Sequence, residues 1–295
     1  MANGQIPPLQ RQYTRLNNIL GWTVFLISAW VYWSTIEPTA SFWDCSKFIA
    51  VDYKLQIGHP PGAPFLQLLA HLISLLTFGN LSRIAPYINR VSATCSALTI
   101  MFLFWTITWF ARKIMEKNGE LTIGRVYAIM GCGLIGSLAY TFTDSFWFSA
   151  VEGEVYAMSS CFTAMVFWCI LKWERAESYS SRWLVLTFYL VGISIGVHLL
   201  CLLTIPAVVF VYYFKRYPNG LTSPFLSKLL KPFTTSPYMQ GFMVTGIIAT
   251  VLLGTIQALI IPGIIQLAAD FEIFFVNKAA MPFNGGTLIF AGTLE

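Results

Sequence analysis

Charge is scarce in this chain. Of its 295 residues, 11% are Asp, Glu, Lys or Arg, under half the roughly 25% that a soluble domain uses to cover its surface. That excludes an ordinary water-soluble globule. The 56% hydrophobic content excludes a disordered chain. The six cysteines (Cys45, Cys95, Cys132, Cys161, Cys169 and Cys201) show no CxxC or other metal-ligand spacing, and five lie in apolar segments. Neither a zinc module nor a disulfide scaffold is indicated. Basic clusters interleaved with aromatics are missing too, so no nucleic-acid partner is expected. The amino terminus lacks a cleavable signal. Its first apolar run is too long for a signal core and has no small-residue cleavage site.

What the chain has is apolar sequence in helix-length runs, at about 19–36, 63–79, 91–111, 126–143, 155–171, 183–214 and 238–262. A hydrocarbon core of about 30 Å takes about 20 such residues as a helix, which also pairs its own backbone. The fold class is therefore an all-α polytopic membrane protein. Run 63–79 is the exception, since it reaches only about 25 Å. Its polar residues Gln67, His71, Ser74 and Thr77 recur on one helical stripe. That pattern predicts an interfacial helix, or one facing a cavity, and not a lipid-exposed span.

Basic residues decide the topology. Suppose run 63–79 does not cross and run 183–214 is two short spans turning near His198. Then 13 of the 18 Lys and Arg residues fall on the inner side. They include Arg11, Arg15, Arg112, Lys172, Arg175 and Lys215. The five on the outer side are Lys47, Lys54, Arg83, Arg90 and Lys278. This arrangement obeys the positive-inside rule, and the alternatives do not. Seven spans result, with an outer loop 37–90, a cytoplasmic loop 215–237 and an outer tail 263–295. Nine of the 13 acids then collect on the outer face, among them Asp44, Asp52, Glu152 and Glu154. No internal repeat appears. We expect one transmembrane domain over 1–295, the N-terminal part of a longer protein, because the chain stops just after an apolar stretch.

Two outer stretches carry chemistry. The first contains Trp43-Asp44-Cys45-Ser46 and, further on, Gly58-His59-Pro60-Pro61-Gly62. A carboxylate just past a span sits at the membrane surface, where it can take a proton from a nucleophile beside a lipid-borne leaving group. The two prolines fix a rigid turn into the amphipathic helix. The second stretch, Asp144 to Ala157, contains Trp147, Glu152-Gly153-Glu154 and Tyr156.

Together with Gly192 to Leu200 and with Asn277 to Gly286, these residues resemble a bacterial membrane family catalogued as domain of unknown function 2723. That family includes the eukaryotic transmembrane protein O-mannosyltransferase and belongs to the GT-C glycosyltransferases. The resemblance implies a GT-C-like core of about seven spans with a juxtamembrane helix and a catalytic Asp loop. It implies a polyprenyl-phosphate sugar as donor and a protein Ser/Thr hydroxyl as acceptor. It also implies a bacterial inner membrane with the site facing the periplasm. One departure stands out, because Lys47 occupies a position where the family commonly has an acid.

On this reading Asp44 is the catalytic base. Arg83, Arg90, His59 and Lys47 are donor-phosphate contacts, Arg being suited to phosphate by its fork of donors. Glu152, Glu154, Tyr156, His198 and Trp43 are contacts for acceptor, sugar or a cation. Asp44 with the two glutamates could supply hard oxygen ligands to a divalent metal, although no cofactor is required. Two rivals remain at this stage. One is a lipid or small-molecule transporter or flippase, which would need acids at mid-membrane depth, and the other is a non-catalytic membrane subunit.

Overall fold

The computed structural model describes residues 8–58, 62–117, 119–176, 181–220 and 223–294. The chain is helical, with no strand among the described residues. Contacts divide it into two compact units, one ending at Thr204 and the other beginning at Ile205.

The first unit is organised around one helix. Its α-helices are α1 (Pro8–Ser34), α2 (Cys45–Lys54), α3 (Pro64–Leu75), α4 (Ile84–Lys117), α5 (Ile123–Thr141), α6 (Asp144–Ala150), α7 (Val155–Arg175) and α8 (Ser181–Ile195). A 3-10 turn, Leu81–Arg83, leads into α4, and another, Leu199–Leu203, follows α8. At 34 residues α4 is the longest helix, and it packs on α1, α2, α3, α5, α6 and α7. Small residues let the helices close, as they do where lipid offers no hydrophobic drive for association. A Cβ on Gly133 of α5 would come within 2.6 Å of Thr108 and 2.7 Å of Phe104 on α4. Buried Ser28, Ser137 and Thr141 donate to carbonyls one turn back in their own helices, and Tyr32 of α1 donates to the Thr141 carbonyl at 2.9 Å.

Five helical segments are long and apolar enough to cross a membrane: Leu81–Lys117, Ile123–Thr141, Val155–Arg175, Leu199–Arg216 and Pro237–Asn277. The first expected span lies within α1, which runs 27 residues but begins with polar turns. The expected span at 183–197 is the 15-residue α8.

The predicted interfacial helix is α3. Its 12 residues reach about 18 Å, too short to cross. Its polar stripe turns inward. Gln67 donates to the Gln56 carbonyl, and His71 Nδ1 lies 2.9 Å from the Tyr53 carbonyl and 3.2 Å from that of Asp52. Since carbonyls only accept, Nδ1 carries the proton and clamps the C-terminal end of α2. Ser74 and Thr77 are buried, while Phe65, Leu68, Leu72 and Leu75 are exposed. The apolar side thus faces away from the body of the unit, as a helix lying in the interface requires.

The second unit holds α9 from Ile205 onward (the helix spans Thr204–Arg216), α10 (Pro224–Leu230), α11 (Pro237–Thr255), α12 (Ile261–Asn277) and α13 (Gly285–Leu294). A π-helical turn, Ile256–Ile260, joins α11 to α12, making 237–277 one continuous helical run. The segment 263–295, expected as a tail, is therefore mostly helical. Glu272 accepts from the backbone N–H of Asn284 and Thr287 and from the Thr287 hydroxyl, which holds α13 against α12. The motif around Asn284 closes this hairpin.

The length of α4 sets a test of orientation. At 1.5 Å per residue its 34 residues extend about 51 Å, more than the roughly 30 Å core. Cysteines placed at Asn80 and Lys117 should react with a membrane-impermeant thiol reagent from opposite faces. Reaction of both from the same face would contradict the crossing.

Candidate functional site

The site forms where the helix ends meet beside the first turns of α4. Asn89, fully buried in α4, donates from Nδ2 to the Glu37 carbonyl at 2.7 Å and to the Thr39 carbonyl at 3.1 Å. This fixes the loop that leads to Asp44. On the other loop, a Cβ at Gly153 would stand 2.8 Å from Asn89 Oδ1 and 3.1 Å from Ile88 Cγ2. Only glycine lets the Glu152-Gly153-Glu154 backbone approach so closely. Further ties join the loops: Glu37 N–H donates to the Val151 carbonyl, and Trp147 Nε1 donates to Thr35 Oγ1 at 2.8 Å. Cys45 is buried between them, near the backbone N–H groups of Ser41 and Gly153.

Asp44 takes the N-cap position of α2. The residue before it, Trp43, is held at φ 59 and is 88% exposed. A bulky side chain in left-handed backbone costs on the order of 1–3 kcal/mol, a strain found mostly at functional sites. Glu154 takes the N-cap position of α7. Its carboxylate accepts from the Asp44 backbone N–H, yet burial, then the charges of Glu152 and Asp44, push it up to about 7. Glu152 is raised as well, by burial first and by Glu37, against a hydrogen bond from Ser41. The two motif loops therefore meet through their acids.

A small open cleft of about 70 Å³ is lined by Asp44, Phe48, Gly58, Gly62, Ala63, Gln67, Glu154, Val155, Tyr156 and His198. Ala63 is the N-cap residue of α3. The N-termini of α2, α3 and α7 thus converge here, each bringing the positive end of a helix dipole, although α3 opens on Pro64 and its Phe65 N–H donates to the Gly196 carbonyl at 2.9 Å. His198 accepts from the Leu200 N–H through Nδ1 at 3.1 Å. Burial lowers its pKa, which keeps it neutral. That tautomer puts a donor on Nε2. Its ring packs against Tyr156, with centroids 5.6 Å apart.

Four of the expected residues are therefore together: Asp44, Glu154, Tyr156 and His198. Glu152 lies behind them, 4% exposed. Arg83 and Arg90 are not in this cleft. They line a separate open depression with Pro86 and Tyr87, and Arg90 sits 5.0 Å over the Tyr87 ring. Lys47 lies on the first turn of α2 and outside the cleft lining. His59 falls outside the described residues. Among the described residues no three His, Cys, Asp or Glu side chains form a group fit for a metal ion, so the acids are not assembled as a metal centre. Sequence reasoning missed Asn89 and Gly153. It placed Asp52 in the outer loop 37–90 and gave it no role. Asp52 is 1% exposed on α2, burial pushes it up to about 7, and neither carboxylate oxygen has a hydrogen-bond partner.

Residues 44–221 match the family described as Protein O-mannosyl-transferase TMEM260 N-terminal domain. Two curated relatives align with the chain. Protein O-mannosyl-transferase tmem260 of Dictyostelium discoideum is 22% identical over 159 residues, 54% of this chain and 18% of that protein. Protein O-mannosyl-transferase TMEM260 of Mus musculus is 24% identical over 160 residues, 54% of this chain and 20% of that protein. The aligned part thus covers about a fifth of the length of these relatives. No solved structure matches.

Asn89 and Gly153 should matter for site geometry more than their chemistry suggests. Asn89→Ala removes the donor to two carbonyls and should destabilise the protein by about 1–3 kcal/mol. Gly153→Ala should lower activity without touching a carboxylate. Thermal unfolding in detergent, with a transfer assay, checks both. Unchanged stability and activity would show that the loops are held otherwise.

Proposed function

The chain belongs to the protein O-mannosyl-transferase TMEM260 N-terminal domain family, and on that premise we propose that it forms the site of a membrane glycosyltransferase of GT-C type. The donor is a polyprenyl-phosphate sugar, and the acceptor is a protein Ser/Thr hydroxyl. The cleft faces away from the cytoplasm, on the periplasmic side if the membrane is a bacterial inner membrane. The relationship to the domain of unknown function 2723 belongs to the same proposal. The observation that carries it is the convergence of three helix N-termini and a neutral His198 around Asp44 and Glu154.

The parts suit a lipid-phosphate leaving group. Asp44, exposed at the start of α2, takes the proton of the acceptor hydroxyl while that oxygen attacks the anomeric carbon. The bond from sugar to phosphate breaks, and negative charge grows on the departing phosphate. Backbone N–H groups at the start of α7 and His198 Nε2–H are donors placed for that charge, while α3, which opens on Pro64 and spends its Phe65 N–H on the Gly196 carbonyl, adds its dipole. Arg83 and Arg90, which line a separate depression, are phosphate contacts during approach along the membrane surface. Trp43 and Tyr156 offer ring faces to a sugar. The cleft acids Asp44 and Glu154 stand at helix starts instead of mid-helix, which favours an enzyme over a transporter.

Asp44→Asn should lower transfer by roughly 10²–10⁴-fold, the usual contribution of a positioned base, with donor affinity little changed. Turnover with purified lipid donor, measured beside donor binding, checks this. Near-normal turnover would place the base elsewhere.

Glu154 supplies a prediction in pH. Its folded pKa is raised above its unfolded value near 4.5, so the penalty for ionising it is absent below that value. Stability is lost as pH rises from there through about 7. Glu154→Gln fixes the uncharged form. It should be more stable than the parent at about pH 8, and that advantage should vanish near about pH 5. Asp52 titrates in both proteins and cancels in the comparison. An advantage that does not change with pH would contradict the assignment.

A further inference from the structure

A second cavity lies at the other end of the same helices, and no role described so far uses it. It has a volume of about 140 Å³ and is formed by the N-terminal turns of α1 and the C-terminal turns of α4 and α7. Arg112 is 23 residues from Asn89 along α4, about 35 Å. The cavity is therefore independent of the cleft at Asp44. Three cations line it, Arg112, Lys172 and Arg175, and no carboxylate does.

Arg112 is 7% exposed. Its Nε is taken by Glu116 at 2.6 Å and its Nη2 by Gln10 at 2.7 Å. Its Nη1 is buried without a partner. The guanidinium is held 4.5 Å over the Tyr13 ring, which fixes its plane. Lys172 Nζ sits 5.0 Å over Trp168 in the same wall. On the facing helix, Asn17 Oδ1 is also buried without a partner. Orphaned polar atoms are uncommon in folded proteins, and a charged one is the most costly.

We propose that this cavity binds a phosphate-bearing anion that also carries a hydroxyl. Three cations and an unfilled guanidinium N–H call for several anionic oxygens, and Arg meets phosphate with a fork of donors. Asn17 Oδ1 calls for a donor, which a phosphate or glycerol hydroxyl supplies. The volume suits a phosphate or glycerol-phosphate group and excludes a whole sugar–lipid. That chemistry comes from two sources, an anionic lipid headgroup or free phosphate.

The experiment uses the purified chain in three settings: vesicles of phosphatidylcholine, the same vesicles with phosphatidylglycerol, and inorganic phosphate in detergent. Native mass spectrometry reads retained lipid, and thermal shift reads phosphate. Retention of phosphatidylglycerol over phosphatidylcholine, weakened at least about tenfold in a Lys172→Gln, Arg175→Gln double variant, supports the site with a lipid source. A phosphate-induced shift lost in that variant, without phosphatidylglycerol retention, supports it with free phosphate as source. Both substituted side chains are exposed, so the variant tests charge without emptying the core. Arg112→Gln should act in the same direction where it folds, and Lys117→Gln, exposed on the last turn of α4 outside the cavity, should change nothing. Absence of binding by both probes, or equal binding by the double variant and the parent, overturns the proposal.

Discussion

The buried amide of Asn89 is the constraint on which the site depends. It sits in the most connected helix of the first unit, and its Nδ2 holds two carbonyls of the loop that follows α1. Its other face meets Gly153, so the second acidic loop is set against the same side chain. A membrane helix pairs its own backbone, but the loops between helices have carbonyls to satisfy. One side chain meeting two of them from a rigid helix places Asp44 and Glu154 with little freedom. Both carboxylates owe their positions to a residue that touches neither.

That arrangement shows how much of the molecule was legible in the sequence. The all-helical membrane character followed from scarce charge and long apolar runs. The non-crossing of the segment after Gly62 followed from its polar stripe, and the structure supplies the reason, since Gln67 and His71 bind the end of α2. The grouping of Asp44, Glu154, Tyr156 and His198 was legible only as a set of motifs. Nothing in their spacing gives the distance between loops more than 100 residues apart.

What was not legible is non-local. Asn89 reads as one polar residue before an apolar run. Gly153 reads as a flexible spacer between acids, whereas its role is close approach. Asp52 carries the same charge as Asp44 eight residues away, and sequence gives no reason to separate them. The fold buries one and exposes the other because Asp44 precedes α2 as its N-cap, whereas Asp52 lies within the helix on the face of Cys45, Phe48 and Val51 that packs inward. Arg83 and Arg90 were read as phosphate contacts from their place at the outer end of the second span and from residue type, and sequence gives no sign that they line a depression apart from the cleft.

The cleft also resolves a tension in its own electrostatics. If the cleft takes a phosphate-bearing donor as proposed, two charged carboxylates at its mouth would repel that donor. One of them, Glu154, is pushed up to about 7 by burial and by the charges of Glu152 and Asp44. Protonated, it withdraws a charge from the cleft and gains a hydrogen-bond donor. The starts of α2, α3 and α7 add positive potential that does not depend on any titrating cation. On the proposed function, a site built this way would draw an anionic lipid through backbone dipoles.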